Sequence, residues 1–365
     1  MKITLVISSL TGGGAERVMC SLANHFARAG WDVDMLTFDE SAACVALEEG
    51  IVATPLLARR EKSRVKALNL LRRIPRMRRH LRACGSDVCI VMLPIPTILV
   101  LAMARQLKAP IIAAERAEPS RYRRPVRFLL RRLCRRASAW IFQTETVRGW
   151  YLPHLKDVPS TIIPNAVTPA FLTEPCADGR EKTIVSAGRL CPQKNFAMLI
   201  RAFARIAGDY PEHRLIIYGE GRLREELQAW AQEAGVGGRV DFPGRVEDMP
   251  QRLQRAGLFV LPSDYEGMPN ALIEAMAQGL PCVATDCAGG GARYLVQDGH
   301  NGLLIPARDE DALVDALRRI LTDGALAQTL GANALQVRQT LAPDVIHQRW
   351  VETVTAALAA SKDRR

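Results

Sequence analysis

The sequence predicts an α/β protein built from two doubly wound parallel-sheet domains, and three observations predict it. The chain has 365 residues, beyond the length at which a single hydrophobic core stops growing. Short apolar runs alternate with segments of helical period from one end to the other, the pattern of a parallel sheet with helices on both faces. The alternation restarts after IIPNAVTPAFLTEPCADGREK, a Pro- and Gly-containing stretch that is the best candidate for a linker.

In order along the first half, the strands read ITLVIS, WDVDMLTF, VCIVML, PIIAAE and SAWIFQ. Each is followed by a helical pattern, the first being ERVMCSLANHFARAG, which ends on a glycine stop. The opening MKITLVISSL imitates a secretion signal, but no small-residue cleavage site follows and TGGGAER fits the turn after a first strand. Residues 88–104 form the longest uncharged stretch; Pro94 and Pro96 split it into a strand and a helix, and it is short for a bilayer span. No transmembrane segment is expected. The second half gives TIVSAG, RLIIYG, VDFPG, LFVLPS, PCVATD and GLLIP, again with helices between. In such sheets ligands bind outside the carboxyl ends of the strands, so chemistry is sought in the loops that follow them.

Apolar residues make up 48% and charged residues 24% of the chain, the balance of an ordinary soluble protein. None of the nine cysteines has CxxC spacing, and Cys84/Cys89 and Cys282/Cys287 lack metal-site spacing. Reduced thiols in a cytosolic protein are expected. The net charge of +11 is uneven: residues 1–175 carry 27 Lys and Arg against 14 Asp and Glu, and the remainder 22 against 24. The excess concentrates from Arg59 to Arg82 and from Arg121 to Arg136, a footprint for an anionic partner. In the first stretch Ala67, Leu70, Ile74, Met77 and Leu81 recur every three or four residues, although Pro75 should kink or divide the helix. A basic amphipathic helix suits the surface of an anionic membrane; the alternative is a solvated face. Aromatic residues are only 5%, too few to interleave a stacking platform for single-stranded nucleic acid, so no nucleic acid is expected.

Four loops carry the candidate chemistry. From Thr11 to Glu16, TGGGAE opens a helix whose backbone N–H groups can approach an anion. Arg17 stands where the third glycine of GxGxxG belongs, and in YGEGRLREEL Arg224 does the same after Gly219 and Gly221. A nicotinamide enzyme is therefore disfavoured. In GRLCPQKNF, Arg189 and Lys194 suit a diphosphate or are plain surface cations; neither lies in a GxxxxGK[ST] loop. In SDYEGMPNALIEAMAQG, Glu266 precedes a helix in which Pro269 suits the first position, and Glu274 lies eight residues on. Asn270, Glu274 and Gln278 form one stripe, with Leu272, Ala275, Met276 and Gly279 opposite and buried. Glu266 either complements the helix dipole while Glu274 is solvated, or both carboxylates hold a ligand.

The E-x7-E arrangement of that last stretch resembles the family 4 retaining glycosyltransferases. So do GGGAERVM, IPNAV, SAGRLCPQKN, YGEGRLREEL, FPGRVEDMP and TDCAGGGARYLVQDGHNGLLIP, which span nearly the whole chain in this order. The resemblance implies a GT-B fold, two Rossmann-like domains facing across a cleft. Residues 1–168 would bind the acceptor and 169–342 the nucleotide sugar, with a C-terminal helix in 343–365 crossing back. It implies transfer of a hexose or N-acetylhexosamine from a nucleotide sugar, UDP being the family's commoner carrier. The acceptor would be linked to a polyprenyl diphosphate or belong to a lipopolysaccharide or surface polysaccharide, and the product would be an α-glycoside made at the inner face of the cell membrane. The membrane would be held through the two arginine-rich stretches.

By the same resemblance Glu274 bonds the ribose hydroxyls, Glu266 faces the donor sugar, and Gly267, Met268, Asn270, Ala271 and Leu272 offer backbone N–H groups to the distal phosphate and sugar. Arg189 and Lys194 neutralise the departing diphosphate, while Gly13 and Gly14 close on it from the first domain. Arg245 and Val246 adjoin the base in a pocket lined from Phe242 to Val246, with Gly219 and Gly221 leaving room. Neither metal nor cofactor is expected beyond the nucleotide-sugar co-substrate; the DxD at Asp32 and Asp34 reads as strand-edge polarity. Retention would follow front-face attack, the departing phosphate taking the acceptor proton. Two features depart from the family. Where relatives often carry a histidine, AAERAEPSRY has Glu115, which could orient the acceptor hydroxyl, and Arg116, which could meet an acceptor phosphate or a donor oxygen; the alternative is a mutual surface ion pair. Ala292 and Tyr294 replace a common Pro and Glu. The six histidines are expected to be structural or exposed. The rival reading is a double-Rossmann sugar-nucleotide epimerase.

Overall fold

The computed structural model describes residues 1–175 and 179–362. It contains two compact units, Met1–Asn165 with Ile346–Arg365, and Ala166–Val345. Part of the expected linker, Cys176 to Asp178, and the last three residues lie outside the described residues.

The first unit is a parallel sheet of seven strands, β1 (Lys2–Ile7), β2 (Asp32–Asp39), β3 (Val52–Leu57), β4 (Val88–Met92), β5 (Ile111–Ala114), β6 (Ala139–Phe142) and β7 (Ser160–Ile162), in the order β3-β2-β1-β4-β5-β6-β7. The second is a parallel sheet of six, β8 (Thr183–Ala187), β9 (Arg214–Tyr218), β10 (Val240–Gly244), β11 (Leu258–Leu261), β12 (Cys282–Asp286) and β13 (Leu303–Pro306), in the order β10-β9-β8-β11-β12-β13. Both are doubly wound, with strand order reversing beside β1 and beside β8, so each unit has a switch-point crevice. All six strands expected in the second half are present. In the first half β3 and β7 were not anticipated. β3 contains Pro55 and β7 has three residues after Pro159; proline is tolerated because both strands lie at sheet edges.

The helices that matter below are α1 (Gly14–Arg28), α2 (Lys66–Ala83), α3 (Pro94–Met103), α4 (Arg124–Leu133) and α5 (Glu145–Leu155) in the first unit. Counting only those used, α6 (Asn270–Ala277) follows in the second, and α7 (Pro343–Lys362) ends the chain, joining the first unit from Ile346 onward. Trp350 and Val354 of α7 are fully buried.

Pro75 does not divide α2, which runs for 18 residues. Pro75 and Leu71, whose carbonyl loses its helical donor, are both exposed, and solvent can satisfy a carbonyl freed on the outer face. The C-terminal part of the apolar stripe is not free for a membrane, since Met77 is fully buried in a core with Phe38 and Leu56 and Leu81 packs against it; Leu68 and Leu71 of the same helix are exposed. Part of the charge is likewise spent locally, Arg73 pairing with Asp39 at 2.5 Å and Arg76 with Glu61 at 2.7 Å. In α4 likewise, Leu130 and Leu133 face the core while Phe128 (66%) and Leu129 (39%) are exposed among arginines. No described helix is long and apolar enough to cross a membrane. The described cysteines are all free thiols.

β2 is not an edge strand, so Asp32 and Asp34 do not mark one. Asp32 pairs with Lys2 at 3.1 Å; Asp34 accepts the Thr4 hydroxyl at 2.9 Å and meets His80 Nε2 at 2.7 Å.

Candidate functional site

In the second unit the loops leaving β8 and β11 flank the switch point, and each delivers one partner of a nearly buried ion pair. After β8 the chain makes a short 3-10 turn, Pro192–Lys194, and Asn195 takes a left-handed conformation that redirects it into the next helix. The aliphatic stem of Lys194 lies across Gly188, where a Cβ would collide with it. Its Nζ donates to Glu266 Oε1 at 2.6 Å. Ser263, fully buried, donates its hydroxyl to the same oxygen at 2.7 Å. Glu266 is 7% exposed, so its charge is held by a cation and a hydroxyl rather than by water. Both donors fall on Oε1, and Oε2 keeps its own lone pairs for a further donor. Burial, reinforced by the Glu266 charge, pushes the nearby Cys287 thiol up to about 12, so it stays protonated.

Glu274 lies one turn inside α6 and is not solvated: it is 7% exposed and accepts the Thr168 hydroxyl at 3.3 Å. Beyond the half-buried Asn270, the polar stripe is shielded; Gln278 is fully buried and donates to the Phe171 carbonyl at 2.8 Å. From Leu272 to Ala277 every residue of α6 is buried, as in a central helix. It begins at Asn270, with Pro269 as the cap rather than the first helical residue. The N–H of Leu272 donates to the Pro269 carbonyl at 3.1 Å, so it is not available to a phosphate as expected. Met268 is buried; Gly267, Asn270 and Ala271 are half-buried at the helix mouth.

Gly219 and Gly221 do not leave open room. A Cβ on Gly219 would strike the Gly188 carbonyl and one on Gly221 the Leu190 backbone. The glycines let the β9 loop lie directly on the β8 loop, where Gly188 N–H donates to Tyr218 O and Leu190 N–H to Glu220 O, each at 2.9 Å. Gly219, at φ 126°, has a backbone that side chains rarely adopt. Beyond β10, Arg245 is exposed and Val246 half-buried; Arg189 is exposed after β8. The structure thus joins Lys194 to Glu266 and buries Glu274, while Arg189 and Arg245 stay at the surface. Sequence reasoning missed Ser263, three residues before Glu266, and Thr168, in the expected linker.

In the first unit Gly13 caps α1 and Gly14 begins it. A Cβ on Gly13 would meet the Glu16 carboxylate, so a side-chain anion already sits at this helix mouth. Beyond β5, Glu115 and Arg116 are buried and do not form a surface ion pair. Glu115 accepts the hydroxyls of Tyr122 and Tyr151, each at 2.6 Å, and the N–H groups of Arg116 (3.0 Å) and Ala117 (3.2 Å). Burial raises its carboxyl above the usual range, against the lowering effect of those donors. Arg116 Nη1 donates to Asn165 Oδ1 at 3.2 Å and Ile163 O at 3.4 Å, and the guanidinium lies over the Trp350 ring, 5.0 Å from its centroid.

The family model described as "Glycosyltransferase Family 4" matches residues 12–171, and "Glycosyl transferases group 1" matches 173–337. Both are transferase models, which leaves the epimerase reading without support. The chain is 33% identical over 293 residues, 79% of its length, to an exopolysaccharide phosphotransferase of Streptomyces coelicolor, of which it spans only 30%. It is 28% identical over 97% of its length, and 98% of the relative's, to a Campylobacter jejuni enzyme named GalNAc-alpha-(1->4)-GalNAc-alpha-(1->3)-diNAcBac-PP-undecaprenol alpha-1,4-N-acetyl-D-galactosaminyltransferase. The crystal structure of Anabaena HepE in complex with UDP-glucose superposes with a TM-score of 0.79 at 20% identity, covering 98% of this chain and 100% of that one; at that identity the likeness shows the fold.

Proposed function

The chain belongs to the family 4 glycosyltransferases, of GT-B fold class, and from that premise we propose that it moves a hexose or N-acetylhexosamine from a UDP-sugar to a saccharide carried on a polyprenyl diphosphate or a lipopolysaccharide core. The reaction retains configuration, gives an α-glycoside and needs no metal. The observation that carries this reading is the Lys194–Glu266–Ser263 cluster at the switch point of the second unit. A cation and a carboxylate held side by side serve the two halves of an activated sugar. Lys194, with Arg189 from the rim, meets the charge that develops on the diphosphate as the glycosidic bond breaks. Glu266 presents Oε2 to the donor sugar hydroxyls. Glu274, buried beneath the mouth of α6, receives the ribose hydroxyls, for which an ionised carboxylate has acceptors enough. Gly267, Met268, Asn270 and Ala271 supply the helix mouth for the distal phosphate, and Arg245 and Val246 border the base. Gly13 and Gly14 open a second helix mouth in the first unit. The departing phosphate takes the acceptor proton as the new bond forms on the same face.

Names of relatives acting on undecaprenyl diphosphate saccharides support the acceptor class, and the UDP-glucose complex of HepE supports the donor. The first unit, 1–168 in the sequence division, is the acceptor half, and 169–342 the donor half. The membrane is anionic and is met at the cytoplasmic side by α4, where Phe128 and Leu129 stand among Arg123, Arg124 and Arg132. Incubation with a panel of UDP-sugars and undecaprenyl-diphosphate saccharides should release UDP and lengthen the acceptor. An α-anomeric coupling in the product, and activity that survives EDTA, are the expected results. A β-linked product, or dependence on added divalent metal, would overturn those two parts of the reading.

A further inference from the structure

Among the described residues, the only buried side-chain nitrogen or oxygen atoms without a hydrogen-bond partner are Nε and Nη2 of Arg116. These two are not independent: Nε–H and the adjacent Nη2–H point the same way, forming the side-on fork of the guanidinium. That is the edge that takes two oxygens of a phosphate or carboxylate at once.

Everything around the fork is fixed. The guanidinium plane is laid on the Trp350 ring of α7, a cation–π contact that sets its tilt. Nη1 is tied to Asn165 Oδ1, which also accepts Gln143 Nε2 at 2.7 Å, and to the Ile163 carbonyl. The neighbouring carboxylate does not satisfy the fork, because Glu115 is bound to Tyr122, Tyr151 and two backbone N–H groups. Burial lowers the guanidinium to about 9, with the Glu115 charge opposing the shift, so it is a cation at neutral pH. Both nitrogens are shielded from water, where a charge-assisted hydrogen bond is stronger than at the surface. The residue follows β5 directly, at the carboxyl end of the sheet where ligands of doubly wound domains bind.

We propose that the Nε/Nη2 edge of Arg116 is a receptor for a phosphoryl oxyanion of a diphosphate substrate, with Glu115, Asn165 and Trp350 as the groups that hold it in place. The proposal deepens the functional reading above and rests on it for the substrate class. That oxyanion belongs either to the diphosphate linking the acceptor to its lipid or to the nucleotide-sugar diphosphate.

The test is calorimetric titration of the full chain with inorganic pyrophosphate, in the wild type, Arg116→Lys and Arg116→Gln, each with and without saturating UDP. Arg116→Gln should bind pyrophosphate roughly tenfold or more weakly, and Arg116→Lys should fall between, since it keeps the charge and loses the fork. If UDP removes the Arg116-dependent component, the oxyanion is the donor's. If UDP leaves it and farnesyl diphosphate displaces pyrophosphate, the oxyanion is the acceptor's. Equal titrations in wild type and a folded Arg116→Gln would overturn the proposal, as would full affinity in Arg116→Lys should the glutamine variant fail to fold. A chain that binds no UDP at all would instead defeat the donor reading, whatever pyrophosphate does.

Discussion

Glu266 is held by two donors on one oxygen, and this makes Ser263 testable through the carboxylate it holds. Replacing Ser263 by Ala removes a hydrogen bond to a charged group, worth about 1.5–3 kcal/mol, and lets the carboxylate swing. Transfer rate should drop about tenfold or more with UDP affinity retained; equal loss of both in a titration would make Ser263 merely structural. Lys194→Ala should depress kcat more than donor affinity, because developing charge is largest in the transition state; a pure affinity loss would reassign it. Glu115 offers a pH test. Its raised carboxyl stabilises the fold fully below the unfolded-state value and less as pH climbs through the folded one, so urea midpoints should decline in the wild type as pH rises above the ordinary carboxylate range. The decline should be shallower in Glu115→Gln; parallel curves would refute it. At this scale the sequence was legible where local pattern sufficed: Lys194 and Glu266, which the structure pairs, and Glu274, which it buries, stand out by spacing. Ser263 and Thr168 did not, because their roles depend on partners met only in the folded chain, and the glycines at 219 and 221 read as space when they are close backbone packing.

Helices of similar composition each bury one face and leave another outside. α2 and α4 both read as basic and amphipathic: α2 sets Met77 and Leu81 toward Phe38 and Leu56 and leaves Leu68 and Leu71 exposed, while α4 sets Leu130 and Leu133 into the core and leaves Phe128 and Leu129 exposed. Periodicity reports that a face exists, not what covers it. Phe128→Ser with Leu129→Ser should therefore weaken binding to phosphatidylglycerol vesicles without lowering the melting temperature, whereas Met77→Ser should unfold the first unit; sedimentation with vesicles and a thermal melt separate the two. Among strands, the buried parallel runs announced themselves as continuous apolar stretches. β3 and β7 did not, since an edge strand carries proline and partial exposure. Gly221→Ala should cost about 1–3 kcal/mol, the range for overpacking, because the obstacle is the Leu190 backbone.

Across the molecule, the doubly wound parallel sheet occurs twice, and that class was readable because alternation of strand and helix constrains topology more tightly than it constrains any single boundary. The charge is distributed unequally over the two halves: all of the excess lies before residue 176. An anionic bilayer should capture the protein by that half, with attraction screened over roughly 10 Å at 0.1 M salt. Binding to anionic vesicles should fall steeply with added sodium chloride and be nearly absent on neutral phosphatidylcholine; salt-independent binding to both would exclude an electrostatic mode.

The last helix gives the chain an unusual order of completion. Residues 166–345 form one uninterrupted unit and can fold as soon as they emerge from a ribosome. The first unit begins earlier yet closes later, because the indole beneath Arg116 is supplied by position 350, beyond the whole of the second unit. The half whose strands are made first is therefore completed only after the other, and a nick in α7 should injure the first unit rather than the second.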